Sequence, residues 1–253
     1  MKKYIYLFVI LVLVFISCST EKEEPNLESQ YPVGSVFGAT GPTKVVDVTN
    51  PKTGKTWMDR NLGATRAATS STDVESYGDL YQWGRRADGH QVRNSITTKT
   101  LSSIDKTENG NFIISDDFKT IDWRNPQNND LWQGVNGVSN PCPKGYRLPT
   151  EAELNEELLS WNTNNAEGAF ASPLKLPVAG IRRRSNGSII GTTSGYWSST
   201  VKSPITFPPQ PSASVSLTLA EFSGAGGGFK GFRWEVYLLS SRNDGLSVRC
   251  IKN

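Results

Sequence analysis

Asn140-Pro141-Cys142-Pro143-Lys144-Gly145-Tyr146-Arg147-Leu148-Pro149-Thr150-Glu151-Ala152-Glu153-Leu154, running on through Asn155-Glu156-Glu157-Leu158-Leu159-Ser160 to Trp161, is the stretch whose reading decides the fold. Thr150 followed three residues later by Glu153 is a capping-box pattern, and Pro149 disfavours helical backbone just before the cap. Leu154, Leu158 and Trp161 then recur at i, i+4 and i+7, which predicts a short helix with one apolar face. Glu151, Glu153, Glu156 and Glu157 fall in its first two turns, where the helix dipole favours negative charge. Capping and solvation account for these carboxylates more simply than a catalytic pair does.

Around that helix the chain reads as strands and turns. It has 253 residues, with seven Trp, eight Tyr and ten Phe against two Met, and 23 Gly and 14 Pro. This composition suits short strands joined by many turns better than a helical bundle. Lys44 to Val48 and Thr56 to Asp59 flank a Pro- and Gly-containing turn and predict a hairpin. A second hairpin is signalled by Ser185-Asn186-Gly187 ahead of Ile189-Ile190. Strands are expected at Gly195 to Thr200, at Arg233 to Leu239 and at Leu246 to Ile251, with a flexible tip at Gly224 to Gly228. Val215 to Leu219 alternates apolar with Ser and Thr, the period of a half-buried strand. Residues 86–139 are polar and sparsely anchored, and a loop of such length is usually functional or mobile.

The N-terminus reads as an address. A basic Met1-Lys2-Lys3 precedes Tyr4 to Ile16, an apolar run too short for a membrane span and suited to a signal-peptide core. Phe15-Ile16-Ser17-Cys18 resembles the lipobox of bacterial lipoproteins, which implies cleavage after residue 17 and lipidation of Cys18. The alternative is an ordinary cleaved signal with a spare cysteine. Several acyl chains on one residue would anchor stably, at about 0.8 kcal/mol per buried methylene. Residues 18–32 are expected to form the lipidated start and a disordered polar tether. Its Glu21-Lys22-Glu23-Glu24 is similar to the export signal of Bacteroidetes surface lipoproteins, which implies an outer-membrane location facing outward. Glu24-Pro25-Asn26 matches a calcium-lectin signature, but a tether offers no site. Without Lys2 and Lys3, 25 basic residues face 24 acidic ones, so the charge balance calls for no nucleic acid.

With Cys18 lipidated, Cys142 and Cys250 are the remaining pair, in an exported chain where disulfides persist. A bridge would close a loop of roughly 100 residues, worth about 4.7 kcal/mol in the chain-entropy account. Two buried free thiols are the other reading.

Six ordered motifs carry a wider resemblance. They are Thr56-Trp57-Met58-Asp59-Arg60-Asn61-Leu62, Tyr77-Gly78-Asp79-Leu80-Tyr81-Gln82-Trp83, the Asn140 to Thr150 stretch, Leu176-Pro177-Val178-Ala179-Gly180, Gly195-Tyr196-Trp197-Ser198-Ser199-Thr200 and Leu246-Ser247-Val248-Arg249-Cys250. Together they resemble the Fibrobacter succinogenes major paralogous domain family over residues 33–253. That family is similar in turn to the C-type-lectin-like fold of formylglycine-generating enzymes. The resemblance implies an α+β domain of twisted antiparallel sheets with a few short helices and long irregular loops. It implies no established activity.

Known chemistries find little support. His90, the single histidine, stands in a polar, turn-like Ala87-Asp88-Gly89-His90 and is expected at the surface, which excludes a histidine-built zinc site. Gly226-Gly227-Gly228 lacks the Lys-Ser/Thr of a phosphate loop. Cysteines locked in a bridge would offer no thiolate for formylglycine chemistry. Arg233-Trp234-Glu235 replaces the Trp-Asn-Asp strand motif of calcium lectins, so neither metal nor cofactor is expected. Arg182-Arg183-Arg184 offers an anion grip, though like charges at a hairpin more often form a solvated edge. Trp123 and Trp132, in the long polar region, are the preferred aromatic binding candidates. The expected protein is therefore a non-catalytic, lipid-anchored surface lipoprotein that binds a glycan or protein in adhesion. The alternative is a structural subunit of a surface assembly, with a hydrolase or formylglycine-generating-like enzyme a distant third.

Overall fold

A computed structural model describes residues 26–107, 109–117, 119–202, 213–223 and 229–253. The signal segment, Cys18 and the Gly224 to Gly228 tip lie outside these residues. In chain order the strands begin with β1 (Asp47–Thr49), β2 (Thr56–Met58), β3 (Tyr81–Gln82), β4 (Thr97–Thr98), β5 (Phe112–Ile113) and β6 (Tyr146–Arg147). Helices α1 (Glu151–Leu159) and α2 (Ala166–Ala171) follow. The remaining strands are β7 (Ile181–Arg182), β8 (Ile189–Ile190), β9 (Ser194–Lys202), β10 (Ala213–Ser223), β11 (Phe229–Ser240), β12 (Gly245–Leu246) and β13 (Ile251–Lys252). The described residues form mostly antiparallel sheets with few helices, an arrangement consistent with an α+β or mostly-β class.

Helix α1 begins where the capping logic places it. Thr150 Oγ1 accepts from Glu153 N–H while Glu153 Oε2 accepts from Thr150 N–H, at 3.3 and 2.8 Å. Arg147 adds two bonds of 2.8 Å to the same carboxylate. Burial raises the Glu153 pKa, but these donors outweigh it and hold the group at about 2.

Three larger sheets make up most of the strand structure, and the helices pack on the one formed by β9, β10 and β11. One runs β1-β2-β13-β6, so the predicted first hairpin pairs with the C-terminal strand. A second is the meander β11-β10-β9, and a third runs β3-β12-β7-β8. A separate parallel pair joins β4 to β5. The stretch expected as one strand from Leu246 to Ile251 is split into β12 and β13, which belong to different sheets. Central β10 departs from the half-buried expectation: Ser214 to Leu217 and Leu219 are all buried, because neighbours flank it and both its faces are covered. Ser216 Oγ lies 2.8 Å from Thr218 Oγ1 and 2.7 Å from Ser240 Oγ, so the polar positions bond to each other rather than to water.

Cys142 and Cys250 form a disulfide with Cα atoms 5.9 Å apart, tying the approach to α1 to the last strand. The bridge sits in one core cluster with Trp83, Trp123, Trp132 and Trp197. A second cluster gathers Trp57, Leu154, Leu217, Leu219 and Trp234 under α1, as the i, i+4 spacing requires. The end of the expected tether is docked: Leu27–Gln30 makes a 3-10 turn, and buried Tyr31 donates to Thr43 O at 2.7 Å.

Candidate ligand-binding cleft

The aromatic candidates of the long polar region do not reach the surface. Trp123 and Trp132 are fully buried. Trp123 Nε1 donates to Trp83 O at 2.7 Å, and Trp132 Nε1 donates to Ser139 O at 3.0 Å. Residues 86–139 therefore carry polar loops over an indole core, and neither ring is open to a ligand. Phe112, Ile113 and Leu131 are buried with them.

The arginine triplet divides. Arg182 is buried: its guanidinium lies 4.1 Å from the centroid of Phe112 and donates to Gly187 O, Val92 O, Ser95 Oγ and Ser95 O. Burial, and then the charge of Arg93, bring its pKa down to about 10. Arg184 Nη1 donates to Ser115 O and Asp117 O, pinning the hairpin to the polar region. Arg183 alone of the three is exposed. A common grip on an anion is thus not assembled.

His90 is buried, not at the surface. Its Nδ1 lies 2.6 Å from Asp88 Oδ1, and its Nε2 accepts from the backbone N–H of Gln82 at 2.9 Å. Accepting at Nε2 requires the neutral ring with its proton on Nδ1. Burial first, then the nearby Arg85, bring its pKa to about 4 against the pull of Asp88. Both ring nitrogens are occupied, so His90 has no free lone pair for base catalysis. Among the described residues no group of three or more His, Cys, Asp or Glu side chains is placed to hold a metal ion.

The residue that does line a cleft is Trp161, read in the sequence only as the end of an apolar helix face. Helix α1 stops at Leu159 with Ser160 as its cap, which leaves Trp161 half-buried on the wall rather than beneath the helix. Its ring meets Trp234 edge-on, with centroids 6.0 Å apart. Glu157, expected to be solvated, is fully buried and joins the two sides. One oxygen accepts from Trp161 Nε1 at 2.9 Å, and the other accepts from Asn50 Nδ2, in the β1–β2 turn, at 2.7 Å. Lys52 Nζ reaches across to Ser160 O and Asn162 Oδ1.

These contacts frame a cleft of about 370 Å³ between the β1–β2 turn and the α1–α2 connection. Its size is that of small-molecule sites in general. Pro51, Ala171 and Pro173 supply further apolar wall. Glu167 and Asn162 also line it, and among the described residues no hydrogen bond reaches the Glu167 carboxylate or leaves the Asn162 amide nitrogen. A fixed indole beside amide and carboxylate groups offers an apolar wall and polar groups together. Nothing in the cleft resembles a nucleophile paired with a base.

No protein-family model, no curated protein and no solved structure matches the chain.

Proposed function

We propose that this chain is a non-catalytic, lipid-anchored surface protein whose domain binds a glycan in the Trp161 cleft. The observation that carries the reading is the half-buried Trp161 indole, fixed by Glu157 and Trp234 beside polar groups. Pre-set aromatic walls lose little conformational entropy on binding, and sugar C–H faces pack on them. The fold belongs to this proposal in its finer form: C-type-lectin-like, with the six motifs as members of the Fibrobacter succinogenes major paralogous domain family. The lipobox at Cys18 and the acidic run after it support outer-membrane anchoring with the domain facing outward. Detergent-purified full-length protein on a glycan array tests the reading, with calcium and with chelator. Selective sugar binding that survives chelator and disappears in Trp161→Ala is expected. Retained binding in a folded Trp161→Ala protein would place the ligand elsewhere.

A structural subunit of a surface assembly is the second reading. It is favoured by a groove of about 380 Å³ whose lining includes Val33 and Val138, exposed at 96% and 64%. Stoichiometric partners co-purifying from membranes would support it over glycan binding.

A further inference from the structure

Asp79 stands differently from the other half-buried and buried carboxylates. No described side chain or backbone N–H donates to its carboxyl, although its own N–H donates to Leu62 O at 2.9 Å. Burial pushes its pKa up to about 7, with only the charge of Arg93 opposing. The loops around it are built to bring it there. Gly63 and Gly78 both adopt positive φ, at 81° and 65°. A Cβ on Gly63 would fall 2.4 Å from Asp79 Cγ, and one on Gly78 would fall 2.2 Å from Leu62 O. Only glycine permits this approach.

Asp79 lines a pocket of about 280 Å³ together with Glu75, Arg93, Asn94, Val74 and Val92. The pocket shares no lining residue with the Trp161 cleft. Arg93 does not close it. Its guanidinium donates to Gly78 O and Ala179 O and lies 5.6 Å from the centroid of the Tyr77 ring. At the rim one Glu75 oxygen accepts from Thr65 Oγ1, and the Asn94 side chain makes no hydrogen bond among the described residues. Val74 is 68% exposed and leaves the rim apolar.

We propose that this pocket binds a primary ammonium group carried on a short alkyl stem. The ammonium donates to the Asp79 carboxylate, and the stem lies along Val74 and Val92. With both carboxylates ionised, Asp79 and Glu75 outweigh Arg93 by one negative charge, so a monocation neutralises the pocket. An anion would meet two carboxylates, and a neutral hydroxyl would leave the charge uncompensated. Charge-assisted bonds to an ammonium supply both what Asp79 lacks, donors and positive charge. The charged and titratable groups of the pocket and its edge are Arg93, Glu75, Tyr77 and Tyr81, with Arg66 near Glu75 but neutralised by its ion pair to Asp73, and the Tyr81 hydroxyl is held neutral by complete burial. Binding therefore draws the proton from Asp79, and affinity rises with pH until Asp79 is ionised in the free protein.

The test is a chemical-shift titration of full-length protein with n-butylammonium chloride at pH 8 and pH 5, with 1-butanol as the neutral isostere. Butylammonium is expected to shift the Gly63, Gly78 and Arg93 amides at pH 8, with affinity at least roughly tenfold weaker at pH 5. Asp79→Asn should abolish binding, Glu75→Gln should weaken it several-fold, and Trp161→Ala should leave it intact. In the unmutated protein, saturating butylammonium should move the Asp79 carboxyl titration to lower pH. Equal binding of 1-butanol, an unmoved Asp79 titration, or no binding at pH 8 would each overturn the proposal. None of these outcomes depends on glycan binding at the Trp161 cleft.

Discussion

Asp79 and Asp88 lie on the same stretch of chain and meet opposite surroundings. Asp88 accepts from Arg85 Nε and Nη2, from the His90 ring and from Thr107 Oγ1. Burial raises its pKa, but His90, Arg85 and Thr107 outweigh that and hold the carboxyl well below the usual range. Asp79 has comparable desolvation and no donor. The comparison separates two uses of a desolvated charge. Around Asp88 every partner is supplied by the protein, and the result is a rigid knot in the core. At Asp79 the partners are missing, and a cavity stands in their place. A carboxyl buried without a donor is kept at a cost to stability, and that cost is the ground for the ammonium site proposed there.

The largest expected effect comes from breaking the satisfied side. Arg85→Ala strands Asp88 and should cost about 3–5 kcal/mol in urea unfolding, as removal of one partner of a buried pair usually does. A loss below about 1 kcal/mol would mean that His90 and Thr107 suffice. Reducing the disulfide comes next, with an expected loss of about 2–5 kcal/mol read from the shift in unfolding midpoint.

Asp79 should show the reverse sign. Its folded pKa of about 7 lies above the unfolded carboxylate value, so the folded state holds the proton more tightly between about pH 4 and pH 7. The stability it contributes is full below about pH 4 and is lost as pH rises to about 7. Asp79→Asn removes that loss, so the variant should melt above the parent at pH 8 and with it at pH 4. A variant that melts lower at pH 8 would show that the carboxyl is already paired. His90 works in the opposite direction. Its folded pKa of about 4 lies below the unfolded value, so its contribution is lost as pH falls from about 6.5 to about 4. His90→Gln should flatten that acid limb in a pH series of unfolding midpoints. The smallest effect belongs to the helix cap. Thr150→Ala should cost about 1 kcal/mol in the same assay, with Glu153 still held by Arg147.

Local chemistry was the legible part of this molecule. The cap at Thr150, the hairpin at β1–β2, the turn at Ser185-Asn186-Gly187 and the two core-forming leucines each depend on residues close in the chain. Burial of polar stretches was not legible in the same way. Trp123, Trp132 and His90 stand among Asn, Asp and Ser residues that suit an exposed loop equally well. Their burial is tolerated because Ser139, Trp83 and Gln82 complete their hydrogen bonds, pairings that a polar sequence does not announce. Arg182 hides for the same reason: Phe112 and Ser95 come to it from distant parts of the chain. The Trp161 cleft depends on where α1 ends, within a residue or two, and sequence patterns place helix ends least well. For Asp79 the signal was present in Gly63 and Gly78, yet glycines alone do not say which side chain they make room for.

The covalent link between Cys142 and Cys250 also changes what a protease can do to the chain. Arg183 is exposed on the hairpin inside the ring that the bridge closes. A trypsin-like cut after it opens the ring but releases no fragment, because both pieces remain joined through the sulfurs. Such a nicked molecule would migrate as one band until thiol is added.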